Sequence, residues 1–95
     1  MFDGNLEDAA AEAEKILGTI APGAICVAQE WDNRIDCVIR LPDGNVVGEM
    51  VSVSDLGETR IRATGERLRQ RAAGQDVPLV NELRQPLRII RRAED

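Results

Sequence analysis

Side chains that could do chemistry are few in this chain. It has no histidine and no tyrosine, which removes the commonest general base, the commonest metal ligand and the phenolic acids. A Ser–His or Cys–His nucleophile pair cannot form. Ser52 and Ser54 have no activating base nearby in sequence and read as strand-end and cap residues. Asp32 with Asp36, and Glu49 with Asp55, are carboxylate pairs of the kind used in acid–base work. In so acidic a stretch such pairs arise by chance. Cys26 and Cys37, without histidine, fall short of a zinc site, and the acids lack calcium-loop spacing. Leu41-Pro42-Asp43-Gly44 is a turn and not a phosphate loop, since no Gly-Lys-Ser/Thr follows. The expectation is therefore a chain that is not an enzyme, with no cofactor and no metal.

Charge carries more information. Residues 1–59 hold twelve acids and three bases, whereas residues 60–95 hold nine arginines and five acids, within a net charge of −5. The basic half uses arginine alone, which reflects either genomic base composition or a surface that needs planar, multidentate donors. At 95 residues and 43% apolar content the chain forms one globular domain. It has no apolar run of about 18 residues and no basic-then-apolar start, so the expected location is cytoplasmic. In that compartment Cys26 and Cys37 are expected to be reduced and largely buried.

Positioning these residues requires defined elements. Asn5 is an N-cap, with Glu7 and Asp8 in the first helical turn, where the dipole favours acids. Leu6, Ala10, Ala13, Leu17 and Ile20 recur at helical spacing, which predicts a helix over residues 5–17 ended by Gly18. Runs at 24–31, 34–41 and 45–53 read as antiparallel strands, the first two with clear period-two alternation. Asp32-Asn33 fits a two-residue hairpin loop that pairs Trp31 with Arg34 and sets Cys26 diagonal to Cys37. Pro42-Asp43-Gly44 fits a three-residue loop, which turns Val47, Val51 and Val53 inward together with Glu49. A two-residue loop would instead turn Val46, Gly48 and Met50 inward, because a one-residue slip flips every side chain.

Asp55-Leu56-Gly57-Glu58 has capping-box spacing, and a second helix is predicted over residues 56–73. Its apolar stripe is Ile61, Gly65, Leu68 and Ala72, with Arg60, Arg67 and Arg71 along one border. Pro78 to Arg84 reads as a short helical turn, and Leu87 to Arg92 as an extended segment at a sheet edge. The fold class is α+β: a three- or four-stranded antiparallel β-meander packed by an N-terminal helix and a second helix, in the order α-β-β-β-α. That element order is similar to the double-stranded RNA-binding domain. The likeness ends at topology, since that family needs bases at the start of its second helix, where this chain has Asp55 and Glu58.

The functional expectation is a small acidic protein-binding module. One candidate surface is the sheet face turned away from the first helix, bearing Ile25, Val27, Trp31, Arg34, Asp36, Val38 and Arg40. Left uncovered, it has the composition of an interface and would suit a homodimer. The other is the acidic first helix, with Glu7, Asp8, Glu12 and Glu14. Those acids suit a basic, nucleic-acid-binding partner, with the protein acting as an inhibitor that mimics phosphate charge. In size and charge the chain resembles small phage-encoded inhibitors such as anti-CRISPR proteins. The alternatives are nucleic-acid binding through the arginine-bearing helix and Arg88, Arg91 and Arg92, or an accessory subunit of a larger assembly.

Overall fold

The computed structural model of the chain describes residues 5–83. The order is α1 (Leu6–Ile20), β1 (Ile25–Gln29), β2 (Arg34–Arg40), β3 (Val46–Ser52) and α2 (Glu58–Ala72), an α+β fold. The strands form one antiparallel sheet in the order β1-β2-β3. Both helices lie on the same face of that sheet and against each other, α1 over β1 and α2 over β2 and β3. Two layers around one core is the economical arrangement for elements with a single apolar side.

Helix α1 starts as its sequence predicts, with the Asn5 side chain accepting from the Asp8 N–H at 2.8 Å. It runs past Gly18 to Ile20 and stops where Pro22-Gly23 turns the chain. Its small buried face, Ala9, Ala10 and Ala13 with Leu17, lets the backbone come close to β1. Gly65 of α2 faces Leu17 and Ile20. A Cβ at that position would stand 3.1 Å from both side chains, so the glycine sets how near the helices approach. Helix α2 begins two residues later than its capping signal. Asp55 lies in a 3-10 turn (Val53–Asp55), Gly57 is the N-cap, and no side chain caps the helix.

The β1–β2 connection departs from the sequence reading. Gln29 pairs with Arg34, Ala28 with Ile35, and Cys26 sits directly opposite Cys37. Four residues intervene, and Glu30–Asp32 make a 3-10 turn closed by Asn33 in the left-handed conformation (φ 50°, ψ 50°). A two-residue hairpin of the favoured type needs positive φ at both central residues, whereas this loop needs it at Asn33 alone. The register moves by two residues, so the inward and outward faces survive. Trp31, however, leaves the sheet for the loop.

The three-residue turn between β2 and β3 forms as predicted. The Leu41 N–H donates to the Asn45 carbonyl at 2.7 Å, and Gly44 holds φ +92°. Val47 and Val51 face inward opposite Ile39 and Ile35, and so does Glu49, opposite Cys37. Val53 does not join the core: the β2–β3 ladder ends at Arg34 opposite Ser52, and Val53 turns out to 48% exposure.

Glu49 is completely buried yet fully bonded. Arg67 donates to both carboxylate oxygens, at 2.5 and 2.9 Å. The Thr64 hydroxyl donates at 2.8 Å, the Val80 N–H at 2.9 Å and Arg60 at 3.4 Å. One carboxylate thus ties β3, α2 and the segment after it together. That segment does not form the helical turn expected from Pro78: residues 75–79 carry no regular structure, and the turn at residues 80–81 holds Asn81 at φ 50°. Val80 reaches Glu49, the Met50 N–H donates to the Asn81 carbonyl at 2.9 Å, and the Leu83 N–H donates to the Gly48 carbonyl at 2.8 Å. Residues 81–83 therefore pair along the outer edge of β3, bridging Glu49 to Glu82. The extended segment expected at Leu87–Arg92 lies outside the described residues.

Candidate interaction site

Helix α1 runs antiparallel to β1 because only the short Ala21–Ala24 link joins them. The N-terminal end of the helix therefore lies beside the C-terminal end of the strand. Between them runs an open groove of about 370 Å³, lined by Glu7, Ala10, Ala11 and Glu14 on one side and Cys26, Val27 and Ala28 on the other. The alanines make it shallow, and Glu7 and Glu14 make it acidic. Glu14 accepts the Cys26 N–H at 2.8 Å, capping one donor of the β1 edge. Among the described residues no strand pairs with that edge. Glu12 and Asp8 are exposed on the same helix.

Beyond the Ala28 end of the groove stands the 3-10 turn with Trp31, whose exposure is 100%. Glu30 and Asp32 flank it, both exposed. The Val53 N–H donates to the Asn33 carbonyl at 2.9 Å, which brings the Val53–Asp55 turn alongside. This end of the sheet thus presents Trp31 and Val53 among Glu30, Asp32 and Asp55. A large aromatic held entirely in water, rimmed by charge, is the composition of a binding anchor.

The other sheet face does not form the open patch expected of it. Val38 and Asp36 are completely buried within the single chain, and Ile25 and Val27 are half-buried. Val38 leans over Gly48, where a Cβ would stand 2.6 Å from the valine methyl and 2.5 Å from the Cys37 carbonyl oxygen. Arg34 donates to Asp36 at 2.8 Å and to Asp32 at 2.9 Å. The hydrogen bond to Asp36 raises the arginine pKa despite partial burial. Arg40 is exposed and reaches the Gly44 carbonyl at 3.4 Å. Of the residues read as one face, the structure keeps Ile25, Val27, Arg34, Asp36, Val38 and Arg40 together and sends Trp31 elsewhere. It does not gather them into an accessible surface.

The arginines of α2 are engaged within the chain. Arg60 and Arg67 hold Glu49, Arg62 pairs with Glu58 at 2.9 Å, Arg69 pairs with Glu66, and Arg71 donates to the Val77 carbonyl at 3.2 Å. Arg88, Arg91 and Arg92 lie outside the described residues. The Glu49 cluster escaped the sequence reading, although its signal was present. An acid fell on the core face of β3, and Arg60, Thr64 and Arg67 share one helical face at spacings of four and three.

No protein-family model, characterised protein or solved structure matches the chain. No helix among the described residues is long and apolar enough to cross a membrane.

Proposed function

We propose that this chain is a non-enzymatic, cytoplasmic protein-binding module whose partner is a basic protein, engaged through the acidic groove between α1 and β1 and through Trp31. The observation that carries the reading is the fully exposed Trp31 at the end of a groove bordered by Glu7 and Glu14. Exposed acids at separations of several ångströms attract a cationic surface and speed its approach. An aromatic face beside them stacks on an arginine or lysine head. A partner whose cationic surface normally holds nucleic acid would meet the same charge here, so the specific form of the proposal is an inhibitor that competes with nucleic acid.

Two features argue against the opposite reading, nucleic-acid binding by α2. Its arginines already have acceptors within the chain, and a single tryptophan is a poor stacking platform for successive bases. The burial of Val38 and Asp36 also argues against a two-fold homodimer through that face.

The test is a titration of the full chain with an extended arginine- and lysine-rich peptide at near-physiological salt, followed by Trp31 emission. Saturable quenching is expected, weakened by added salt and abolished in a Glu7→Lys/Glu14→Lys variant. Equal quenching in that variant sinks the reading. Displacement of duplex nucleic acid from a captured partner then separates the inhibitor from a simple adaptor.

A further inference from the structure

Cys26 and Cys37 stand opposite each other on neighbouring strands, with their sulfurs 3.5 Å apart. The Cys26 N–H points away from β2, to Glu14. On its other side Cys37 pairs with Glu49 of β3, whose neighbours Gly48 and Met50 turn their backbone groups to the far edge, towards Leu83 and Asn81, so the backbone groups of Cys37 face β3 and not β1. Both facts make Cys26–Cys37 a non-hydrogen-bonded pair of the antiparallel ladder. In such a pair the Cα atoms come to about 4.5 Å, at the short end of the roughly 4.4–6.8 Å window that a disulfide spans. A bridge can therefore close there with little movement of the backbone. The two residues also differ in access. Cys37 is completely buried, whereas Cys26 is partly exposed and lines the acidic groove.

We infer that Cys26 and Cys37 form a reversible redox modification site, in which partly exposed Cys26 reacts first with a peroxide and buried Cys37 resolves it into a cross-strand disulfide. The Cys26 thiol gives up its proton and attacks one peroxide oxygen, the O–O bond breaks, and water leaves. Cys26 is then a sulfenic acid. The Cys37 sulfur attacks the Cys26 sulfur, the S–O bond breaks, and a second water leaves with the Cys37 proton. Two thiols lose two electrons, and the peroxide gains them. Cys37 needs no path to solvent, because its partner sulfur is already in contact. The ring so closed contains the Glu30–Asn33 turn, so the bridge clamps the base of the hairpin that presents Trp31. The hydrogen bond with Cys37, burial and the charge of nearby Glu14 all push the Cys26 thiol up, so little thiolate is present at neutral pH, and the reaction is slow there and quickens in base. This inference does not rest on the proposed binding role.

The experiment treats the reduced full chain with hydrogen peroxide and follows intact mass and free thiols after denaturation. Expected are the joint loss of both thiols, a mass lower by two hydrogens, a chain that stays single on a non-reducing gel, and full reversal by dithiothreitol. Cys37→Ala should halt at a Cys26 sulfenic acid that a dimedone-type reagent captures, and Cys26→Ala should leave Cys37 unreacted at the same peroxide dose. Added oxygens without a bridge, or bridges between chains, overturn the proposal in the wild type alone, even if a variant fails to fold. Reaction of Cys37 at the wild-type rate in Cys26→Ala overturns the assigned order.

Discussion

Glu49 and the acids of the groove carry the same chemical group into opposite surroundings. Around Glu49 every donor is supplied by the chain: two arginines, a hydroxyl and a backbone N–H surround a carboxylate with no exposure at all. Glu7, Glu12 and Glu30, by contrast, stand exposed on the surface. The buried charge organises the fold and is unavailable to anything outside, while the exposed charges cost little stability to change and remain open to a partner. An acid's sequence alone does not distinguish these roles. What distinguishes them is whether the facing element returns donors at matching spacing, as α2 does with Arg60, Thr64 and Arg67.

The largest expected effect comes from breaking the buried half of this contrast. Glu49→Ala leaves partly buried Arg60 and Arg67 with no carboxylate, a loss of up to about 3–5 kcal/mol, measured by urea unfolding. Arg60→Glu or Arg67→Glu should do comparable damage, so neither is a clean probe of binding. The same cluster sets an acid limit. Burial pushes the Glu49 pKa up, but the hydrogen bonds from Arg67, Val80 and Thr64 outweigh it and hold the carboxyl below its ordinary value. A depressed folded pKa contributes stability that is present above the unfolded value, about 4.3, and lost as pH falls through the folded one. Acid unfolding followed by circular dichroism should show that loss below the unfolded value, and Glu49→Gln should flatten it.

Gly48→Ala ranks next. Its methyl would meet the Cys37 carbonyl oxygen and Val38, and overpacking of this kind costs about 1–3 kcal/mol. A thermal midpoint unchanged from wild type would mean that β2 and β3 separate more easily than their register implies.

Trp31→Ala sharpens the contrast from the other side. A side chain that is fully exposed should leave stability within about 0.5 kcal/mol of wild type, while an anchor of a protein interface loses at least ~2 kcal/mol of binding on truncation. Calorimetry with a basic partner protein and a denaturant curve on the same variant read both. A destabilised Trp31→Ala would place the ring in the fold and not at an interface. The smallest effect is expected for Arg62→Glu and Arg69→Glu, whose partners are exposed acids on the same helix. Such pairs contribute about 0–1 kcal/mol, and their loss should leave duplex nucleic-acid binding at physiological salt as weak as before. A marked fall in such binding would restore α2 as a contact surface.

Much of this was legible in the chain. The period-two runs and the helical stripes located every main element to within a few residues, and the Pro42-Asp43-Gly44 turn fixed the register of β3. The β1–β2 loop was not legible in detail. Asp32-Asn33 satisfies a two-residue turn as readily as Asn33 alone satisfies a four-residue one, and the choice decides whether Trp31 lies on a sheet or in solvent. The Asp55 capping signal misled for a related reason: the chain leaves β3 through a 3-10 turn that uses the Asp55 backbone before the helix starts. Glu49 was visible only as a blemish in an apolar pattern, because its partners lie eleven to thirty-one residues away.

The pairing of residues 81–83 with the outer side of β3 bears on how this protein could self-associate. A sheet that offers strand-pairing groups at both borders can stack copies without end, the route to fibres. Here one border is occupied at Gly48–Met50 by the chain itself, and on the other Glu14 holds the Cys26 N–H. Copies joining through the remaining border would meet β1 to β1 about a two-fold axis. Such an assembly stops at two, since pairing uses the one border that the described residues leave open.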